Sequence, residues 1–165
     1  MNMNINVFKV NYSNTKQSAD MSFLLNSYAL DPMGGGKALS NFVQANLALE
    51  LSKLAHAWSV ICYVNEKPAG LINCFEGFST FKCQRLLNIH DITVHNDFRG
   101  QSISQLMLVK VEEIARQRGC CKLTLEVLQG NTVAQNAYLK FGFSGYELDP
   151  ELGKAMFWEK SLSSA

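Results

Sequence analysis

The most constraining stretch of this chain runs from residue 86 to residue 128. An apolar segment of strand composition (86–94) leads to a small-residue turn at Arg99, Gly100, Gln101 and Ser102. A helical stripe of Ile103, Leu106, Met107, Lys110, Val111 and Ile114 follows. Those positions recur every three or four residues, the spacing of one helix face. Gly119 stops the helix over 102–118, because glycine takes the left-handed backbone that closes a last turn. Residues 122–128 read as another strand. Strand, helix and strand in immediate succession must build a sheet with a helix packed on it.

The remaining segments agree with that plan. Residues 5–10 alternate as a strand. Ser18 or Asp20 is a candidate cap for a helix carrying Phe23, Leu24, Tyr28 and Leu30. Residues 31–37, with Pro32 and three glycines, break it. Ser40 caps a longer helix with Val43, Leu47, Leu51 and Leu54 at helical spacing. Residues 58–64 and 69–75 are strands around a hairpin turn at 65–68, and a loop over 77–84 leads into 86–94. A further helix covers 132–140, ending before Gly142, and 143–146 and 155–159 are expected as closing strands. No repeat, linker or low-complexity stretch interrupts the chain. The expectation is one α+β domain over 1–165, with a mixed sheet.

Composition excludes several classes of function. With 15 basic and 14 acidic side chains, the formal charge is +1. No excess of cations is available to displace the counterions of a nucleic acid. Apolar residues make up 47% of the chain, yet no run is long enough to span a membrane. The first residues lack the basic and apolar regions of a secretory signal, so a cytoplasmic location is expected. The five cysteines (Cys62, Cys74, Cys83, Cys120 and Cys121) are odd in number and follow no disulfide framework. They read as reduced, mostly buried thiols, with Cys120 and Cys121 in the core. No Cys-x-x-Cys occurs and His56, His90 and His95 are not spaced as ligands, so no metal site is expected.

Two phrases carry chemistry. The first is the turn from Arg99 through Gly100, Gln101, Ser102 and Ile103 to Ser104. A helix N-terminus offers unpaired N–H groups and the positive end of the helix dipole, and small residues let a phosphate approach them. The second runs from Asn131 through Asn136 and Tyr138 to Gly142 and Phe143. Asn131 and Tyr138 are two turns apart on one helix face, about 10 Å along the axis. Each also has a purely architectural reading: a Gly-containing turn, a helix N-cap at Asn131, and a core aromatic at Tyr138.

Taken together, residues 86–143 resemble the coenzyme A half of the GCN5-related N-acetyltransferase superfamily. There a strand is followed by Arg/Gln-x-x-Gly-x-Gly/Ala, then by a helix reading Asn-x-x-Ala-x-x-x-Tyr-x-x-x-Gly-Phe. Asn131, Ala134, Tyr138, Gly142 and Phe143 stand in register with the second motif, and Arg99 fits the first. Ser102 and Ser104 stand where the family has Gly and Gly/Ala. Each adds a Cβ near the phosphate path and a hydroxyl that can donate to it. The pattern is most similar to the diamine N-acetyltransferase branch, with Ile89-His90-Asp91 in place of Leu-Glu-Asp and Asn136 also matched. The resemblance implies a mixed, mostly antiparallel sheet flanked by helices. It implies acetyl-CoA as cosubstrate, held by Ile92, Thr93, Val94, Arg99, Gly100, Gln101, Ser102, Ile103, Ser104, Asn131, Asn136 and Tyr138. It also implies a homodimer.

The implied reaction is acetyl transfer to a primary amine, which with a pKa of about 10 is protonated at neutral pH. His90 is the first candidate for the base, and imidazole suits proton relay. Asp91 is a second candidate; regular strand alternation places it on the opposite face from His90. Glu76 is a third. A backbone N–H near Val94 is the candidate donor to the oxyanion, and Tyr138 the acid for the departing thiolate. Glu76, Asp91 and Asp31 are candidates for the anionic side of an amine pocket. Phe75, Phe78 and Phe81 either line an acceptor groove or pack on the sheet. A small-molecule amine, such as a diamine or polyamine, is the expected acceptor. A peptide acceptor and a non-catalytic acyl-CoA sensor are the alternatives.

Overall fold

A computed structural model describes residues 3–146, 149, 151 and 153–162. Residues up to Leu128 form one compact unit and those from Gln129 a second. The first contains a five-stranded sheet in the order β1-β2-β3-β4-β5. Its strands are β1 (Ile5–Lys9), β2 (Ala57–Val64), β3 (Lys67–Ser79), β4 (Gln84–Val94) and β5 (Leu123–Leu125). The first four run antiparallel. β5 lies parallel to β4, because helix α3 (Ile103–Gln117) carries the chain back between them. Helices α1 (Thr15–Leu30) and α2 (Asn41–Ser52) separate β1 from β2. The mixed, mostly antiparallel sheet flanked by helices is therefore present.

α1 begins earlier than the capping residues suggested. Asn14 is the N-cap and accepts from Gln17 N at 3.0 Å. Ser18 and Asp20 lie inside the helix, where Asp20 pairs with Lys16 and accepts from the Tyr63 hydroxyl at 2.7 Å. The first turn of α1 is polar, so no apolar periodicity marks it. Ser40 caps α2 as expected, accepting from Val43 N at 3.3 Å. The β2–β3 turn has Asn65 at φ 48° and Glu66 at φ 65°, the paired left-handed residues of a type I′ hairpin.

The two faces of the sheet are covered differently. Met21, Leu24 and Leu51 from α1 and α2 pack with Ala57, Ile61, Tyr63 and Leu71. α3 covers the opposite face with Ile103, Met107, Leu108, Val111 and Ile114 buried. Leu106, part of the expected stripe, is exposed, and Leu108 takes a buried place instead. Gly70 faces α3 closely: a Cβ there would stand 2.7 Å from the Met107 Cε.

Other expectations need correction. The described residues of 143–146 and 155–159 form no strand, and Tyr146, Met156, Phe157 and Trp158 are exposed. β-propensity is realised only where a ladder partner exists. Among the five thiols only Cys62 and Cys74 are buried; Cys83 is exposed, and Cys120 and Cys121 are partly exposed rather than core. Phe75 packs against the α1–α2 core, whereas Phe78 and Phe81 are exposed toward the end of the long β3–β4 hairpin.

Glu76 serves the fold. Alternation along β3 puts it on the α3 face, with Cys74 and opposite to Asn73 and Phe75. It accepts from Arg118 Nε at 2.7 Å and lies 3.3 Å from Arg85 Nε. The Arg118 hydrogen bond, aided by the charges of Arg118, Arg85 and His56, holds its carboxyl below the usual range. A depressed carboxyl contributes stability above its unfolded pKa and loses it as pH falls through the folded value. Wild-type stability is therefore expected to fall more steeply than that of Glu76→Gln below about pH 4.5. Denaturant melts of both proteins across pH 3–7 measure this, and parallel curves would refute it.

Candidate active site

The decisive local feature lies in β4. Asn73 pairs with Asp91 and Cys74 with Ile89, so His90 is an extra residue with no partner of its own on β3. Such a β-bulge breaks the alternation of side chains. Asn73 and Phe75, two apart on β3, share a face. The Asn73 Nδ2 donates to Asp91 Oδ2 at 3.0 Å, and the Phe75 ring meets His90 edge-on with centroids 5.5 Å apart. His90 and Asp91 therefore lie on the same face, the one covered by α1 and α2. This overturns the expectation that strand alternation separates them. His90 is exposed and Asp91 half-buried. Glu76 is on the other face, held between two arginines, and is removed as a base.

Further along β4, among the described residues, one edge has no β5 partner. Its ladder with β5 ends at Ile89 and Leu125. The His95 N–H donates to Ala69 O at 2.9 Å, so it points at β3. Backbone N–H groups alternate along a strand, so that of Val94 points to the opposite edge, where the described residues include no β5 partner. An extended chain with amide groups can pair with such an edge as an added strand. Ile92 and Val94 are partly exposed there, while Thr93 is buried on the other register.

The turn after β4 has left-handed backbone at two positions and an unexpected use of its cation. A 3₁₀ turn at 96–98, capped by His95, leads to Gly100 at φ 79°. A Cβ at Gly100 would meet nothing within 4 Å, so its left-handed backbone, not crowding, favours glycine. Ser102, the N-cap of α3, has φ 59° and ψ 18°, and its side chain makes no capping bond. The family's glycine preference at this position thus has a backbone cause, and serine departs from it at a strain cost. Ile103 is buried, Ser104 is partly exposed, and the Gln101 Oε1 is buried with no hydrogen-bond partner. Arg99 donates through Nη2 to Asp31 Oδ2 at 2.9 Å and through Nε to Val94 O at 3.2 Å. The backbone N–H of Met33, then the Arg99 hydrogen bond, hold the Asp31 carboxyl below its ordinary range. Asp31 therefore clasps the turn's cation and is not free to line an amine pocket.

In the second unit, α4 (Thr132–Phe141) begins at Asn131, whose side chain accepts from Ala134 N at 3.1 Å. It ends at Gly142, at φ 107°, and the N–H groups of Gly142 and Phe143 both donate to Tyr138 O. Tyr138 is buried, its ring 6.0 Å from that of Phe143. Asn136 is exposed. The capping reading of Asn131 is correct.

Sequence reading missed three residues on the face of His90 and Asp91: Tyr12, Ser59 and Asn73. Their signal was faint but present, since Asn73 interrupts the apolar run of 69–75 and Ser59 that of 58–64.

Two variants test the turn. Ser102→Gly relieves the left-handed strain and is expected to raise stability by about 0.5–1 kcal/mol in denaturant melts, net of glycine's unfolded-state entropy. A loss of stability would show that serine is unstrained there. Asp31→Asn keeps the oxygen that caps the 3₁₀ turn and weakens the clasp on Arg99. Coenzyme A titration is expected to show up to about fivefold tighter binding; weaker or unchanged binding would show that Arg99 is not competed for.

Comparison with known proteins bears on the family and the fold. Residues 26–143 match the model of the acetyltransferase (GNAT) family. An uncharacterized N-acetyltransferase of Methanocaldococcus jannaschii is 34% identical over 89 residues, 53% of this chain and 39% of that protein. The thialysine N-epsilon-acetyltransferase of Bos taurus is 38% identical over 65 residues, 39% of this chain and 38% of that protein. The chain thus spans about two fifths of the length of these relatives. A solved structure of a probable acetyltransferase superposes with a TM-score of 0.78 at 17% identity, covering 96% of this chain and 99% of that one. The family match takes in β4, the Arg99–Ser104 turn and the Asn131–Tyr138 helix together, and the chain belongs to the acetyltransferase (GNAT) family.

Proposed function

We propose that this chain moves an acetyl group from acetyl-CoA to the primary amine of a small molecule, a diamine or polyamine in the first instance. The observation that carries this reading is the β4 bulge. It sets an imidazole and a carboxylate on one face of the strand whose ladder with β5 ends, among the described residues, at Ile89. A cationic amine needs both an anion to receive it and a base to deprotonate it. The thialysine N-epsilon-acetyltransferase relative, whose name states an amine acceptor, supports the substrate class.

In this reading Asp91 receives the ammonium and His90 takes its proton. The freed nitrogen attacks the thioester carbonyl, forming the C–N bond. The Val94 N–H donates to the oxyanion as it develops. The C–S bond then breaks as Tyr138 donates its phenolic proton to the sulfur; the nitrogen's second proton passes to solvent as the amide forms, and Tyr138 regains a proton from solvent. Tyr138 takes this role from its register in the family motif. Gly100, Gln101, Ser102, Ile103 and Ser104 hold the pyrophosphate through backbone N–H groups, with Arg99 released from Asp31. Asn131 and Asn136 orient the cosubstrate. A single domain over 1–165, a homodimer and a cytoplasmic location belong to the same proposal; among the described residues no helix is long and apolar enough to cross a membrane.

The clasp of Arg99 by Asp31 also favours a second reading, an acyl-CoA sensor without turnover. Thiol release from acetyl-CoA with a panel of amines, beside a coenzyme A titration, decides between them. Turnover of at least one amine supports the enzyme, binding without turnover supports the sensor, and no binding removes both. Tyr138→Phe is expected to lower kcat by about 10²-fold with coenzyme A affinity unchanged; full turnover would remove Tyr138 from catalysis.

A further inference from the structure

We infer that Tyr12, Ser59 and Asn73 are positioning residues, forming a directed chain of hydrogen bonds that holds the Asp91 carboxylate in one orientation for the acceptor's ammonium. The inference rests on the amine-acetyltransferase reading above and adds residues that the family motifs do not contain.

The chain crosses the sheet on the α1–α2 face. Ser59 of β2 stands directly opposite Asn73 of β3, and Asn73 directly opposite Asp91 of β4. Tyr12, just beyond β1, has its hydroxyl 2.9 Å from the Ser59 Oγ. The Ser59 Oγ donates to Asn73 Oδ1 at 2.7 Å, and Asn73 Nδ2 donates to Asp91 Oδ2 at 3.0 Å.

Proton counting gives the chain its direction. Ser59 has a single hydroxyl proton and gives it to Asn73, so Tyr12 must be the donor to Ser59. The Asn73 amide is then fixed, oxygen toward Ser59 and nitrogen toward Asp91. An NH₂ group aimed at Asp91 Oδ2 requires that oxygen to accept, as it does in a carboxylate. The reversed amide would set oxygen against oxygen and demand a proton on Asp91. Every donor in the chain points toward the charge, and aligned hydrogen bonds strengthen one another.

Burial shows that this arrangement is costly to maintain. Ser59 is 1% and Asn73 3% exposed, in the middle of a sheet whose neighbouring positions are apolar. Buried polar groups need partners, and apolar side chains of similar shape fill such positions without that requirement. The chain ends at Asp91, half-buried beside the exposed His90 on the bulge. Tyr28 from α1 is also near enough to feel Asp91: burial, then the Asp91 charge, push its hydroxyl up.

The test is steady-state thiol release by the full chain with acetyl-CoA and butylamine, 1,4-diaminobutane, spermidine or lysine. In Ser59→Ala the KM for the amine is expected to rise about tenfold, with the KM for acetyl-CoA within twofold of wild type, and Ser59→Thr, which keeps the hydroxyl, to recover most of the loss. Tyr12→Phe, the mildest cut, is expected to raise the amine KM two- to threefold without lowering the thermal midpoint by more than a few degrees. An unchanged amine KM in both Ser59→Ala and Tyr12→Phe overturns the inference while leaving the acetyltransferase reading intact. So does a loss of both KM values and kcat that tracks the thermal midpoint, which is the mark of a structural role. Coenzyme A binding by a wild-type protein that turns over none of the four amines overturns the acetyltransferase reading, and the positioning role with it.

Discussion

The pairing of β3 with β4 is the interaction on which the rest of the arrangement depends. Ten residue pairs join the two strands, and the register slips once, at His90. Below the slip, Ile89 and Leu87 are buried, and β4 also pairs with β5. Above it, Asp91 and Thr93 share the face of Asn73 and Leu71, and among the described residues β5 offers no further partner on the opposite edge. A single extra residue thus sets His90 and Asp91 on one face of the strand. A regular strand would have divided His90 from Asp91 and sent one of them toward α3.

The turn that follows shows two opposing demands. α3 must pack its buried face against the sheet, so its N-terminus is set by Ile103 and Met107. The chain reaches that point only through left-handed backbone at Gly100 and Ser102. Left-handed serine is disfavoured by its Cβ, yet a turn of this kind presents consecutive N–H groups outward. The guanidinium of Arg99 is held by Asp31 at the start of the 31–37 segment, so the loop between α1 and α2 and the turn before α3 share one ion pair. Any anion approaching the turn competes with a carboxylate that already has two partners. Exposed pairs of this kind contribute little to stability, which makes the competition a matter of affinity more than of folding.

Much of this was legible in the residues alone. The helical stripe of α3, the hairpin turn at Asn65 and Glu66, the Ser40 cap and the Gly119 and Gly142 stops all follow from local rules that do not need a partner strand. What was not legible needed one. Asn14 went unseen as a cap because the first turn of α1 is polar. The stretches 143–146 and 155–159 have strand composition, but no ladder forms in their described residues. Glu76 looked like any acidic residue near a strand end until the parity of β3 put it beside Arg118 and Arg85.

By itself the sequence determined the element types, the α+β class, the small-residue turn before α3 and the register of the family motif, because these depend on residues within a few positions of one another. Only the tertiary structure decided which side chains share a face. The bulge at His90 arises from how β4 pairs with β3, and it reverses the side of every residue beyond it. Ser59, Asn73 and Asp91 are 14 and 18 residues apart along the chain, and become neighbours only through strand register. Side-chain alternation has a period of two, so a one-residue slip that no local signal records is enough to change which groups meet.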